Sequence, residues 1–276
     1  MSIGVPYTTL VGWLDGVVPN AFWAEKIIAT YPQLRDFPNW QPLIAPRVWK
    51  VRRKEILAAT KRKIALLCEE NWLRFEESRT RPGAPDSTAV DQLRAQGTTA
   101  DGPGVAESLR KLINAGSASL RSVADSLEAA GVPVVGIEEI SQKAVVSLAT
   151  SGATAICVAV VNGHEIGDDD LRYGLAQELG FCLVSDARAA GKLQAVRAFA
   201  DALLIPSESL TKMVIPDKGG RVTQHVVELL CQFYGAPTGS VIRSLSGLEI
   251  KAPEDFVGPP VPALRRLSSH LRLRAF

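Results

Sequence analysis

From Ala144 to Gly163 the chain carries no charged side chain for 20 residues. That is the length of a membrane-spanning helix. Ser147, Thr150, Ser151, Gly152 and Thr154 interrupt the stretch, and its many valines favour a pleated backbone. Two β-strands around a Ser151-Gly152 turn satisfy the pattern better than a transmembrane segment. With a further strand expected at 132–137, this places a small sheet among segments of helical periodicity. The expected fold class is therefore α+β.

Composition narrows the function classes. The 276 residues are 46% hydrophobic, which excludes a disordered chain. A formal net charge of +2 is too small to mark a nucleic-acid binder by itself. Cys68, Cys157, Cys182 and Cys231 lie far apart in apolar stretches, so they read as small core residues rather than a disulfide framework or zinc ribbon. No basic stretch precedes the first apolar segment, so no secretory signal is expected. A cytoplasmic protein without a membrane anchor is the expectation.

Four segments are expected along the chain. All five tryptophans fall within the first 72 residues, and residues 1–76 read as a mostly helical N-terminal unit. Within it, Leu57, Thr60, Ile64, Cys68, Trp72 and Phe75 recur at three or four residues, as on one helix face across 47–75. Residues 77–104 are polar and rich in Gly and Pro, and read as a flexible linker with a short helical turn. Residues 105–250 form the main domain. Residues 251–276 form a tail containing Pro and Arg.

Inside 105–250 the local signals are regular. Leu120, Val123 and Leu127 mark a helix that Gly131 caps. Asn162-Gly163 marks a turn, and Asp168 to Asp170 offer N-cap candidates for a helix over 171–184. A helix over 192–204 stops at Pro206. Two short helices over 222–233 and 239–246 flank Tyr234-Gly235-Ala236-Pro237.

The most informative segment is Leu171-Arg-Tyr-Gly-Leu-Ala-Gln-Glu-Leu-Gly-Phe-Cys-Leu-Val184. It resembles the active-site helix of the ImmA/IrrE family of zinc-metallopeptidase-like proteins, at Arg172, Tyr173, Ala176, Glu178, Leu179, Gly180, Leu183 and Val184. The stretch Phe199-Ala-Asp-Ala-Leu-Leu-Ile-Pro206 resembles that family's later helix. The lead-in from Leu109 to Val134 and the closing element from Val226 to Leu248 also look similar. The resemblance covers about 105–250 and implies a zincin-like domain with a small sheet.

Gln177 and Phe181 stand where the family carries two metal-binding histidines. Residues four apart on a helix share a face, so paired histidines there reach one zinc ion, and the adjacent Glu then activates its bound water. Phe181 has no donor, and Gln177 is a neutral oxygen ligand ill suited to zinc. The third ligand is usually a Glu before the Phe-Ala pattern, yet Lys192 to Arg197 contains no Glu, Asp or His. The resemblance thus implies a pseudo-metallopeptidase with no metal, no cofactor and no catalytic residue, and a vestigial pocket of Arg172, Tyr173, Gln177, Glu178 and Phe181. Its implied role is non-catalytic: a regulator binding a protein partner, such as a repressor, in a phage or mobile-element control circuit.

Two further features compete with that reading. Arg47, Lys50, Arg52, Arg53, Lys61, Arg62 and Lys63 cluster in 47–63, which as a basic helix would contact DNA phosphates. A solvated helix face explains the same run. Cys182, beside the vestigial site, falls on the stripe of Leu175 and Leu179, where a buried thiol is inert.

Overall fold

The structure is a computed structural model that describes Thr30 and residues 47–79, 87–96, 101–152, 155–184 and 189–253. The chain divides into two compact units, Met1–Trp49 and Lys50–Phe276. Three of the five tryptophans and the C-terminal arginines lie outside the described residues.

The second unit is mixed α and β. Its elements are β1 (Lys50–Val51), α1 (Ala58–Arg79), α2 (Ala89–Ala95), α3 (Gly102–Leu112), α4 (Val123–Ala129), β2 (Val134–Ile137), β3 (Val145–Ser151) and β4 (Ala155–Val161). They continue with α5 (Asp168–Leu183), α6 (Ala189–Leu204), α7 (Ser207–Met213), α8 (Gln224–Tyr234) and α9 (Thr238–Ser246). Among the described residues no helix is long and apolar enough to cross a membrane.

The uncharged stretch forms the β3–β4 hairpin, with Val145 facing Val161 and Ser151 facing Ala155. The four strands are ordered β1-β3-β4-β2, with β2 parallel to β4 and β1 antiparallel to β3. Every residue of β4 is buried, as a central strand covered on both faces must be. Helix α1 covers one face: Thr60, Ile64, Cys68 and Trp72 recur every four residues as its buried stripe, and the Cys157 thiol of β4 donates to the Cys68 carbonyl. Helix α5 covers the other face, where Ile156, Val158 and Val160 join Leu171, Leu175 and Leu179 in one core.

Helices α3, α5 and α6 pack closely because two glycines leave room there, one for backbone and one for side chains. A Cβ on Gly102 would sit 2.2 Å from the Ala195 carbonyl oxygen, and one on Gly180 would sit 2.9 Å from the Phe199 ring. Asn162 takes a left-handed conformation at the expected turn, and its amide bonds both sides of the 138–143 loop.

Several expectations need correction. The helix expected over 47–75 starts only at Ala58, and Lys50–Val51 pair into the sheet as an edge strand. Helix α1 belongs to the second unit, so the division falls after Trp49 rather than Glu76. The expected linker 77–104 contains the end of α1, all of α2 and the start of α3. A reciprocal Thr88–Asp91 capping box starts α2, and Ala89, Val90 and Leu93 enter the core. A single buried turn of apolar residues between polar flanks gives too short a periodic signal to stand out. Helix α7 follows directly on Pro206, where the sequence reads only as a stop.

Two arginines, Arg110 buried and Arg172 half-buried, hold the loop between α3 and α4. Arg110 is 3% exposed and donates to the carbonyls of Gly116, Ala118 and Leu203. Arg172 donates to those of Leu120, Arg121, Tyr234 and Gly235. Burial lowers the pKa of both guanidiniums. Carbonyls at the ends of α6 and α8 carry the negative pole of those helices, which helps to compensate the cations; Asp168 and Asp169 add to this at Arg172. Replacing Arg110 with Ala strands three carbonyls, so a loss of about 2–4 kcal/mol is expected in urea unfolding. Arg110→Lys, with a single ammonium, is expected to recover less than half of it.

Candidate functional site

Helix α5 begins where three aspartates, Asp168 to Asp170, place negative charge in its first turn. Gly167, rather than one of these aspartates, is its N-cap. Along α5 Gly174 and Glu178, four residues apart, face β3, and Phe181 follows three residues further on. A Cβ on Gly174 would meet Val146 at 3.2 Å, which keeps this end of the helix close to the strand. Glu178 reaches the strand edge itself.

The Glu178 carboxylate is fully buried and densely bonded. Its Oε2 accepts from Arg52 Nε at 2.7 Å and from the Leu148 backbone N–H at 2.8 Å. Its Oε1 accepts from the second Arg52 nitrogen and from Arg53 Nε at 3.2 Å. Arg52 therefore grips it with both prongs of its fork, the strongest geometry open to this pair. The Arg52 guanidinium also lies over the Phe181 ring, 3.8 Å from its centroid.

The backbone of this segment is zipped along β3. Lys50 faces Thr150 and Val51 faces Ala149; Arg52 N–H then donates to the Leu148 carbonyl at 2.8 Å. Arg53 N–H turns to the buried Ser147 hydroxyl at 3.1 Å, and Leu57 N–H reaches the Gln142 side chain at 2.9 Å. In this register the Leu148 N–H faces Arg52, and the carboxylate takes the place that a strand carbonyl would otherwise fill. Glu178 thus ends the ladder and pins α5 to the edge of the sheet.

The five residues expected to line one pocket do not converge. Glu178 and Phe181 share Arg52, and Gln177 is half-buried beside them. Arg172 faces the other end of the helix layer and binds only carbonyls there. The Tyr173 hydroxyl accepts from Arg243 at 2.8 Å. Arg243 in turn holds Asp201 through two nitrogens at 2.7 and 2.9 Å, and Ser240 donates to the same carboxylate. Burial first, then the Asp201 charge, pushes the Tyr173 hydroxyl up to about 12. The sequence holds no local signal for this second hub, because Asp201 and Arg243 are 42 residues apart.

The basic cluster is also divided. There is no basic helix 47–63. Arg52 and Arg53 turn inward to Glu178, Lys63 pairs with Glu139, and the Lys61 ammonium donates to the Lys54 carbonyl. Lys50 and Arg62 are exposed, and Arg47 lies in the first unit. The sequence reads these charges as one solvated or phosphate-facing run because it cannot show that a carboxylate 126 residues later claims two of them.

Among the described residues no group of three His, Cys, Asp or Glu side chains could hold a metal ion. Burial pushes the Cys182 thiol up to about 11, so it stays protonated and poorly nucleophilic near neutral pH. No family profile and no curated protein matches this chain.

Removing the carboxylate would leave Arg52 and the Leu148 N–H without their acceptor and Arg53 with Glu55 at 3.7 Å. Glu178→Ala is expected to cost about 2–4 kcal/mol in urea unfolding, less than a fully buried pair because both guanidiniums keep solvent contact. Glu178→Gln keeps one acceptor oxygen and is expected to cost less. At pH 8 the native Cys182 is expected to alkylate at least about tenfold more slowly than in urea, read by peptide mass mapping.

Proposed function

We propose that this protein is a non-catalytic regulator whose residues 105–250 form a degenerate zincin-like domain of the ImmA/IrrE kind and bind a protein partner. The observation that carries the reading is the state of Glu178. In a working metallopeptidase of that family the equivalent carboxylate must face a metal-bound water. Here it is fully buried and spent on Arg52, Arg53 and the Leu148 N–H.

The donor chemistry beside it does not fit zinc either. Phe181 offers no lone pair, Gln177 is neutral, and Phe181 instead carries the Arg52 cation on its face. The family resemblance supplies the regulatory setting, a phage or mobile-element control circuit with a repressor as the partner class. The cytoplasmic location belongs to the same proposal.

The alternative, nucleic-acid binding through 47–63, loses support from the inward turn of Arg52 and Arg53. Its signature would be DNA affinity falling steeply with salt.

After incubation with zinc and desalting, the protein is expected to retain less than about a tenth of an equivalent by elemental mass spectrometry. Retention near one equivalent, lost on Glu178→Ala, would overturn the pseudoenzyme reading.

A further inference from the structure

The segment Lys50–Arg53 behaves like a bound peptide rather than like a core strand. Only Lys50 and Val51 pair regularly, against a β3 of seven residues. None of the residues Lys50–Glu55 is buried, and burial resumes only at Ile56, which is 3% exposed. Local opening of such a stretch exposes little apolar surface and leaves α1 seated on the sheet.

What holds the segment is recognition chemistry. The edge of β3 supplies main-chain partners, as sheets do when they add a strand from another chain. The Glu178 carboxylate forms the floor and binds a guanidinium with both oxygens. Phe181 forms a wall on which the guanidinium stacks at 3.8 Å. A planar five-donor cation fits this combination of fork and ring face; a lysine ammonium does not. The Arg52 and Arg53 side chains remain 29% and 37% exposed, so the groove opens at the surface.

We propose that the groove between the β3 edge and α5 is a binding site for an extended, arginine-bearing peptide segment of a partner, closed in the isolated chain by its own Lys50–Arg53. This names the partner chemistry for the protein-binding reading above and rests on it. The partner's arginine would take over Glu178 and Phe181, so the carboxylate never stands buried without a cation. A tethered occupant competes at a high effective concentration, so the intact chain binds weakly until the cis arginines are removed or displaced.

The test uses the full chain and a synthetic peptide carrying residues Lys50–Glu55. The Arg52→Ala/Arg53→Ala variant is expected to bind this peptide at least about tenfold more tightly than the wild type, with a rise in melting temperature. Binding is expected to vanish when both peptide arginines are alanine, or when Glu178→Gln is added. Equal affinity of variant and wild type, or binding indifferent to Glu178→Gln, overturns the proposal.

Amide hydrogen exchange on the wild type gives an independent reading should the variant fail to fold. The Arg52 amide is expected to exchange at least about a hundredfold faster than the amides of β4, through local opening. Exchange as slow as β4 means the segment leaves only on global unfolding, which also overturns it. Zinc retention near one equivalent, lost on Glu178→Ala, would sink the pseudoenzyme reading and the groove together, whereas failed peptide exchange without zinc retention would sink the groove alone.

Discussion

A carboxylate with no access to water must be matched in charge and in hydrogen bonds, and Glu178 meets both demands at once. Two guanidiniums and one backbone amide surround it, drawn from the segment before α1 and from β3. Because α1 covers one face of the sheet and α5 the other, this contact joins the two layers at the sheet edge. Moving Glu178 would release the end of β1, the position of α5 and the stacking of Phe181 together. Burying a charge is costly, so the pairing constrains the fold more than an apolar contact of the same area would.

The other inward-facing charges find two kinds of partner. Arg110 and Arg172 have carbonyls for partners, gathered from one loop and from the ends of α6 and α8. Asp201 is held between α6 and α9 by Ser240 and Arg243. The Asp201–Arg243 pair joins two helices, whereas the Glu178 pair joins a helix to the segment paired on the sheet edge. That difference makes the β3 edge the part of the fold where one segment can replace another while the charge balance is kept.

Much of the framework is legible in local pattern. The uncharged valine-rich stretch, the Asn162 turn, the four-residue stripe of α1 and the glycine after α4 each act within a few residues, where periodicity and backbone preference decide. The same patterns mislead where competing contacts win. Basic residues before Ala58 read as helix, since nothing nearby opposes it, yet their amides pair with β3. Residues 89–95 read as linker because their three core contacts are too few to build a period.

The sequence by itself determined that the chain builds a small sheet with helices, and that Gln177 and Phe181 leave the helix at 171–184 without a metal-binding pair. Those are properties of residue type and spacing. Only the tertiary structure decided what Glu178 does, since its partners lie 126 and 125 residues away and no local preference encodes that pairing. The physical reason is that a buried charge selects its partner by three-dimensional proximity and desolvation. Those are set by how β1, β3 and α5 meet, and they appear in a sequence only as isolated letters.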